Sequence, residues 1–139
     1  MSAGYSGTPL AAKLGIKAGV RVHLIGAPKE YRALLEPLPD DVQFAARLSD
    51  TVDVVHLFTR RRAELATKLA VIHKVMKPDA SVWVSWPKKA SGVATDITED
   101  TIRAIALPTG LVDIKVCAVD DVWSGLKLMI RKELRKKPR

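Results

Sequence analysis

The sequence predicts one α/β domain: a doubly wound, mainly parallel sheet that closes with a C-terminal antiparallel hairpin. Three observations predict it. Strand-like and helix-like runs alternate along most of the chain, which calls for parallel strands joined by right-handed crossovers. Val52-Asp-Val-Val-His-Leu-Phe58 is almost continuously apolar, as a strand covered on both faces must be. Between Arg60 and Met76, the residues Leu65, Leu69, Ile72 and Met76 recur at helical spacing and form one stripe for burial.

In chain order, Thr8-Pro-Leu-Ala-Ala-Lys-Leu-Gly15 reads as a short helix, with Thr8 as cap, Pro9 at the first helical position and Gly15 at the left-handed exit. Val20 to Ile25 is the first strand and ends at Gly26-Ala27-Pro28. A helix from Pro28 to about Leu35 turns Tyr31, Leu34 and Leu35 inward, and Pro37 and Pro39 stop it. Val42 to Ala45 is a short second strand, and Val52 to Phe58 the third. The long helix runs from Arg60 to Met76, and Ser81 to Trp86 is the fourth strand. Thr98 caps another helix, with Glu99 and Asp100 in its favourable first turn and Ile97 and Ile102 spaced as a hydrophobic staple. Leu111 to Val119 and Val122 to Ile130 form two strands joined tightly at Asp120-Asp121.

The chain of 139 residues is 47% apolar, enough for one buried core and too short for two. We expect a single domain over residues 1–130, with the helix at 8–15 packed on it and a basic tail over 131–139. Of the formal charge of +8, +5 lies in the last nine residues. Such a tail either attracts nucleic acid or solvates the terminus, and no aromatic residue interleaves with it to stack bases. No apolar run is long enough to span a membrane. The start, Met1-Ser-Ala-Gly-Tyr5, carries neither a basic nor an apolar leader, so the cytoplasm is the expected compartment. The single cysteine, Cys117, lies inside a strand-like run and reads as a small core residue. The alternating Leu126, Leu128 and Ile130, with Trp123, read as strand core or as a hairpin edge through which two copies pair as a homodimer.

Val52-Asp-Val-Val-His-Leu-Phe58, a helix, and then Lys77-Pro78-Asp79-Ala-Ser-Val-Trp-Val84 resemble the second half of class I methyltransferase domains, a Rossmann-like fold. More closely, the chain resembles a small bacterial family of unknown function. That resemblance covers roughly residues 3 to 133 and is carried by Tyr5-Ser-Gly-Thr-Pro-Leu-Ala-Ala-Lys-Leu-Gly-Ile16, Trp86-Pro-Lys-Lys-Ala-Ser-Gly92 and Val122-Trp-Ser-Gly-Leu-Lys127. By analogy, the methyltransferase plan implies strands in the order 2-1-3-4-6-5, the sixth antiparallel. It also implies a crevice between Gly26-Ala27-Pro28 and Thr59-Arg60, where the strand order reverses. The methyltransferase likeness would bring S-adenosylmethionine as cofactor, yet the chain departs from that pattern at the cofactor loop. Gly26 stands alone, Pro28 removes a backbone donor, and Ala45-Ala46-Arg47 offers no carboxylate for a ribose, so the expected fold is a degenerate relative.

The expected ligand is a small anion, nucleotide-like in the fullest reading, held at the carboxyl ends of the parallel strands. With Thr59 as cap, Arg60, Arg61 and Arg62 would fall in the first turn of the long helix, against the positive end of its dipole, where a bound anion would relieve them. Otherwise they are three long solvated side chains. Ser85, Trp86, Lys88 and Lys89 leave the neighbouring strand and add an indole plane, a hydroxyl and two ammonium groups. Gly26 and Ala27 would complete the crevice. No catalytic constellation is present: Ser85, Ser91 and Ser124 lie outside a nucleophile elbow, and neither a phosphate-binding loop nor a zinc-binding His pair occurs. His23 and His56 fall in neighbouring strands without an acid or cysteine beside them, and read as hydrogen-bonded core residues rather than metal ligands. His73 reads as a surface residue.

Overall fold

The computed structural model describes residues 8–135. Tyr5 to Gly7 of the first family segment and residues 136–139 of the basic tail lie outside the described residues. The elements are α1 (Leu10–Leu14), β1 (Arg21–Ile25), α2 (Tyr31–Leu34), β2 (Gln43–Phe44), β3 (Val54–Phe58), α3 (Arg62–Val75), β4 (Ser81–Pro87), α4 (Glu99–Ala106), β5 (Leu111–Ala118) and β6 (Trp123–Ile130). Six strands form one sheet in the order β2-β1-β3-β4-β6-β5. β2, β1, β3 and β4 run parallel, and β6 is antiparallel to both β4 and β5. This is a doubly wound methyltransferase-type sheet with the strand reversal between β1 and β3.

The central strands are mostly apolar because helices and loops cover both faces. Every residue of β3 and β4 is buried, Ser81 and Ser85 included. On one face α3 and α4 press Leu65, Leu69, Ile72 and Ile102 onto Val55, Leu57, Val82, Val84, Leu126 and Leu128. On the other, α1 and α2 bring Leu14, Tyr31 and Leu35 onto Val22, Phe58 and Trp83. Trp83 is wholly buried, and its indole N–H donates to the Leu14 carbonyl at 2.9 Å, which fastens α1 to the sheet. Among the described residues, no helix is long and apolar enough to cross a membrane.

Several elements are shorter than the sequence implied, for identifiable reasons. α1 begins after Pro9, which occupies the cap position, so Thr8 does not cap, whereas Gly15 takes the left-handed exit at φ 78°. The expected helix after Pro28 contracts to one turn, Tyr31–Leu34, because Tyr31 and Leu35 reach the core within that turn. Thr98 caps α4 as expected. The box is completed by Thr101, whose hydroxyl accepts from the Thr98 backbone N–H, and Ile97 and Ile102 are both buried beside it. Asp120 shapes the hairpin turn by accepting from the N–H groups of Val122 and Trp123. Cys117 is half-buried rather than interior, and burial pushes its thiol pKa up. His73 is half-buried also.

The basic tail leaves from the wrong end to join the strand-end cations. β6 runs opposite to β4, so Ile130 lies at the amino edge of the parallel strands. The described part of the tail folds back there: Arg131 N–H donates to the Gly110 carbonyl and Arg135 Nε to the Ile130 carbonyl. β5 is an edge strand with Ile114 and Val116 exposed, and a register irregularity between Asp113 and Lys115 interrupts it.

Candidate functional site

The carboxyl ends of the parallel strands differ from one another. At the end of β1, Gly26 turns with φ +70°, and a Cβ built there would lie 2.7 Å from the Phe58 carbonyl oxygen. The chain therefore closes onto β3 at this point, a contact that glycine alone permits. Ala27 is half-buried and packs against the α1/α2 core. The α2 turn that follows is too short to offer a helix end to a ligand.

Beneath this closed end runs a buried polar chain. The His56 ring is wholly buried, with Nδ1 2.8 Å from the Tyr31 hydroxyl and Nε2 2.7 Å from the Ser85 hydroxyl. Phe58 stacks on the same imidazole, with ring centroids 4.3 Å apart. Burial lowers the His56 pKa to about 3, so the ring is neutral, donating through one nitrogen and accepting through the other. The same burial raises that of the Tyr31 phenol. Both ring nitrogens are thus satisfied inside the protein. His23 Nδ1 lies 2.9 Å from the Ala45 carbonyl. Among the described residues, no group of three or more potential metal ligands occurs.

The ends of β3 and β4 are open. Thr59 continues beside β4, its N–H donating to the Ser85 carbonyl at 3.0 Å. The helix cap consequently falls at Arg61, two residues later than expected, and only Arg62 of the three arginines lies inside α3. The anion expected at this helix end comes from the chain itself. Asp96 Oδ1 accepts from the Arg62 N–H at 2.6 Å, and Glu64, in the first turn, accepts from the Thr59 hydroxyl. The loop bearing Asp96 is pinned there: the Thr95 hydroxyl and the Asp96 N–H both donate to the Arg60 carbonyl.

Arg60 and Arg61 are exposed and, with Ala94, Thr95 and Asp96, line a polar hollow of about 430 Å³. A neighbouring hollow of about 610 Å³ is lined by Trp86, Pro87, Lys89 and the 92–99 loop. The two share Ala94 and Thr95, so the cations after β3 and those after β4 flank one loop. Among the described residues no ion pair engages Arg60, Arg61, Arg62, Lys88 or Lys89.

The expected site residues therefore separate into groups. Arg60, Arg61, Trp86 and Lys89 face the paired hollows, Trp86 through a small edge because it is 8% exposed. Thr59 and Ser85 are buried and hydrogen-bonded internally, so neither is open to a ligand. Lys88 is half-buried and its N–H is taken by the Val122 carbonyl. Gly26 lines a different cleft and meets none of them. Thr95 carries no signal in the sequence, and Asp96, which reads there as a turn-making loop carboxylate and, with Glu99 and Asp100, as a conceivable carboxylate pair, instead accepts from the first N–H of α3. Sequence reasoning also missed the link from Tyr31 through His56 to Ser85. A histidine inside an apolar strand was the one available signal for that link, since its polar atoms demand partners.

Residues 11–132 match the model of a family described as "Protein of unknown function (DUF3052)". No curated protein matches the chain. Among solved structures, an S-adenosylmethionine-dependent methyltransferase from Aquifex aeolicus superposes with a TM-score of 0.60 at 14% identity, covering 87% of each chain. The precorrin-6y C5,15-methyltransferase of Geobacter metallireducens gives 0.56 at 9% identity, covering 87% of this chain and 85% of that one. Fibrillarin of Aeropyrum pernix, with natively bound S-adenosyl-L-methionine, gives 0.52 at 14% identity, covering 86% and 73%. At these identities the likeness establishes the fold.

Proposed function

The chain belongs to that family of proteins of unknown function, and we propose that it is a ligand-binding relative of the methyltransferases that holds a small anion, phosphate or carboxylate in character. The site is the pair of hollows after β3 and β4. One observation carries the reading: Arg60 and Arg61 stand exposed, without carboxylate partners among the described residues, around a hollow already walled by a pinned loop. Guanidinium forks suit bidentate phosphate and carboxylate oxygens. The backbone donor at Arg62 is already taken by Asp96, so recognition falls to side chains, with Lys89 and the Trp86 edge extending it toward a nucleotide-sized ligand.

Titration calorimetry with pyrophosphate and with ADP tests this. Arg60→Ala/Arg61→Ala in the folded protein should weaken binding by roughly tenfold or more, and equal affinity in the variant would overturn the site. The second reading, a methyltransferase, rests on the shared fold. Heat on adding S-adenosylmethionine, retained in the arginine variant, would favour it. Against it stand the tight contact of Gly26 with Phe58 and the lack of an acid near the end of β2.

A further inference from the structure

On the α3 face the sheet is incompletely covered. The connection from β2 to β3, residues 45–53, contains no helix, being too short for the usual crossover. α3 and α4 therefore cover β3, β4 and β6, while the same face of β1 meets only the 45–53 loop and one side of α3. A cleft of about 540 Å³ remains, within the range that holds small organic ligands.

Its walls are mainly apolar with three polar residues, His23, Thr67 and Lys68, of which the Thr67 hydroxyl already donates to the Ala63 carbonyl. Ile25, Leu48, Val71 and Ile72 supply the apolar surface, and Val71 is 53% exposed although it is a branched aliphatic residue on a helix. His23 and Lys68 line the same cleft. His23 is half-buried, and its Nδ1 is bonded to the Ala45 carbonyl, which can only accept. Nδ1 must therefore carry the proton, and in the neutral ring Nε2 is left as an acceptor. Nε2 has no partner among the described residues. The Lys68 ammonium forms no ion pair there, and no acid lines the cleft.

We propose that this cleft is a second binding site, separate from the arginine-lined hollows, for a small apolar carboxylate that carries one hydrogen-bond donor. The apolar body covers Ile25, Leu48 and Val71, the carboxylate meets Lys68, and the donor meets His23 Nε2. Indole-3-acetate is a suitable probe because it joins an aromatic body, an N–H and a carboxylate. Titration followed by amide chemical shifts should show saturable binding at roughly millimolar concentration or below, with shifts at His23, Leu48, Lys68 and Val71. Indole-3-acetamide, which lacks the charge, and the N-methyl analogue, which lacks the donor, should each bind several-fold more weakly. Val71→Glu changes an exposed position and should leave the fold intact, yet weaken the probe by roughly tenfold or more. No shifts at those four residues, or equal affinity in the folded Val71→Glu protein, would overturn the site. Equal binding of all three probes would overturn the assigned chemistry. Because pyrophosphate binding at Arg60 and Arg61 is read separately, failure of one site leaves the other standing.

Discussion

The end of β1 and the end of β3 belong to one sheet edge, yet they are built oppositely. At β1 the backbone closes: Gly26 lies against the Phe58 carbonyl, and Tyr31, His56 and Ser85 bind three elements together beneath it. At β3 the chain stays extended two residues longer, and its exposed arginines stand beside a loop that Asp96 and Thr95 fasten to the Arg60 and Arg62 backbone. The difference teaches that position at a sheet's carboxyl edge does not by itself make a ligand site. Polar groups satisfied inside the protein brace the fold, and those left facing a hollow are available for recognition.

Substitutions should separate the two ends. The largest effect is expected at the closed end. His56→Leu leaves the Tyr31 and Ser85 hydroxyls buried without their partner and should cost about 3 kcal/mol, measured by chemical denaturation. The same residue governs a pH response. Its folded pKa of about 3 is below its unfolded value of 6.5, so the unfolded chain binds the extra proton first. Stability from this group is complete above pH 6.5 and declines as the pH falls toward 3. Denaturation midpoints at pH 7 and pH 5 should differ in the wild type and differ less in His56→Leu.

Gly26→Ala forces a Cβ toward the Phe58 oxygen and strains a left-handed backbone; about 2 kcal/mol should be lost, seen as a lower melting temperature. Asp96→Ala removes the acceptor at the start of α3 and should cost about 1 kcal/mol. It also deletes a negative charge beside Arg60 and Arg61, so pyrophosphate should bind more tightly to this variant in calorimetry. If Asp96→Ala weakened binding instead, the loop wall that Asp96 fastens to α3 would matter more to the anion than the negative charge it brings. Smallest of all, Arg60→Ala/Arg61→Ala should shift stability by no more than about 0.5 kcal/mol while losing the anion. A large stability loss in that variant would erase the contrast between a braced end and an open one.

Much of the scaffold could be read directly from the chain, because its signals are local or periodic. The continuous apolar run before Phe58, the stripe from Leu65 to Met76 and the capped start at Thr98 each place an element without knowledge of its neighbours. The site was legible only in part. The three arginines drew attention as cations near a helix start, but their expected cap was wrong because Thr59 is held in the sheet by the Ser85 carbonyl, a partner far along the chain. Asp96 was invisible as a capping residue for the same reason: it serves a helix that begins 34 residues earlier.

By itself the sequence determined which segments become strands and helices, which faces are apolar and where positive charge accumulates, since each follows from side chains within a few residues. The tertiary structure alone decided which of those charges meet a hollow, which hydroxyls vanish into the interior and where a missing crossover helix leaves a cleft. Those outcomes depend on contacts between residues distant in the chain, and periodicity carries no information about such pairs.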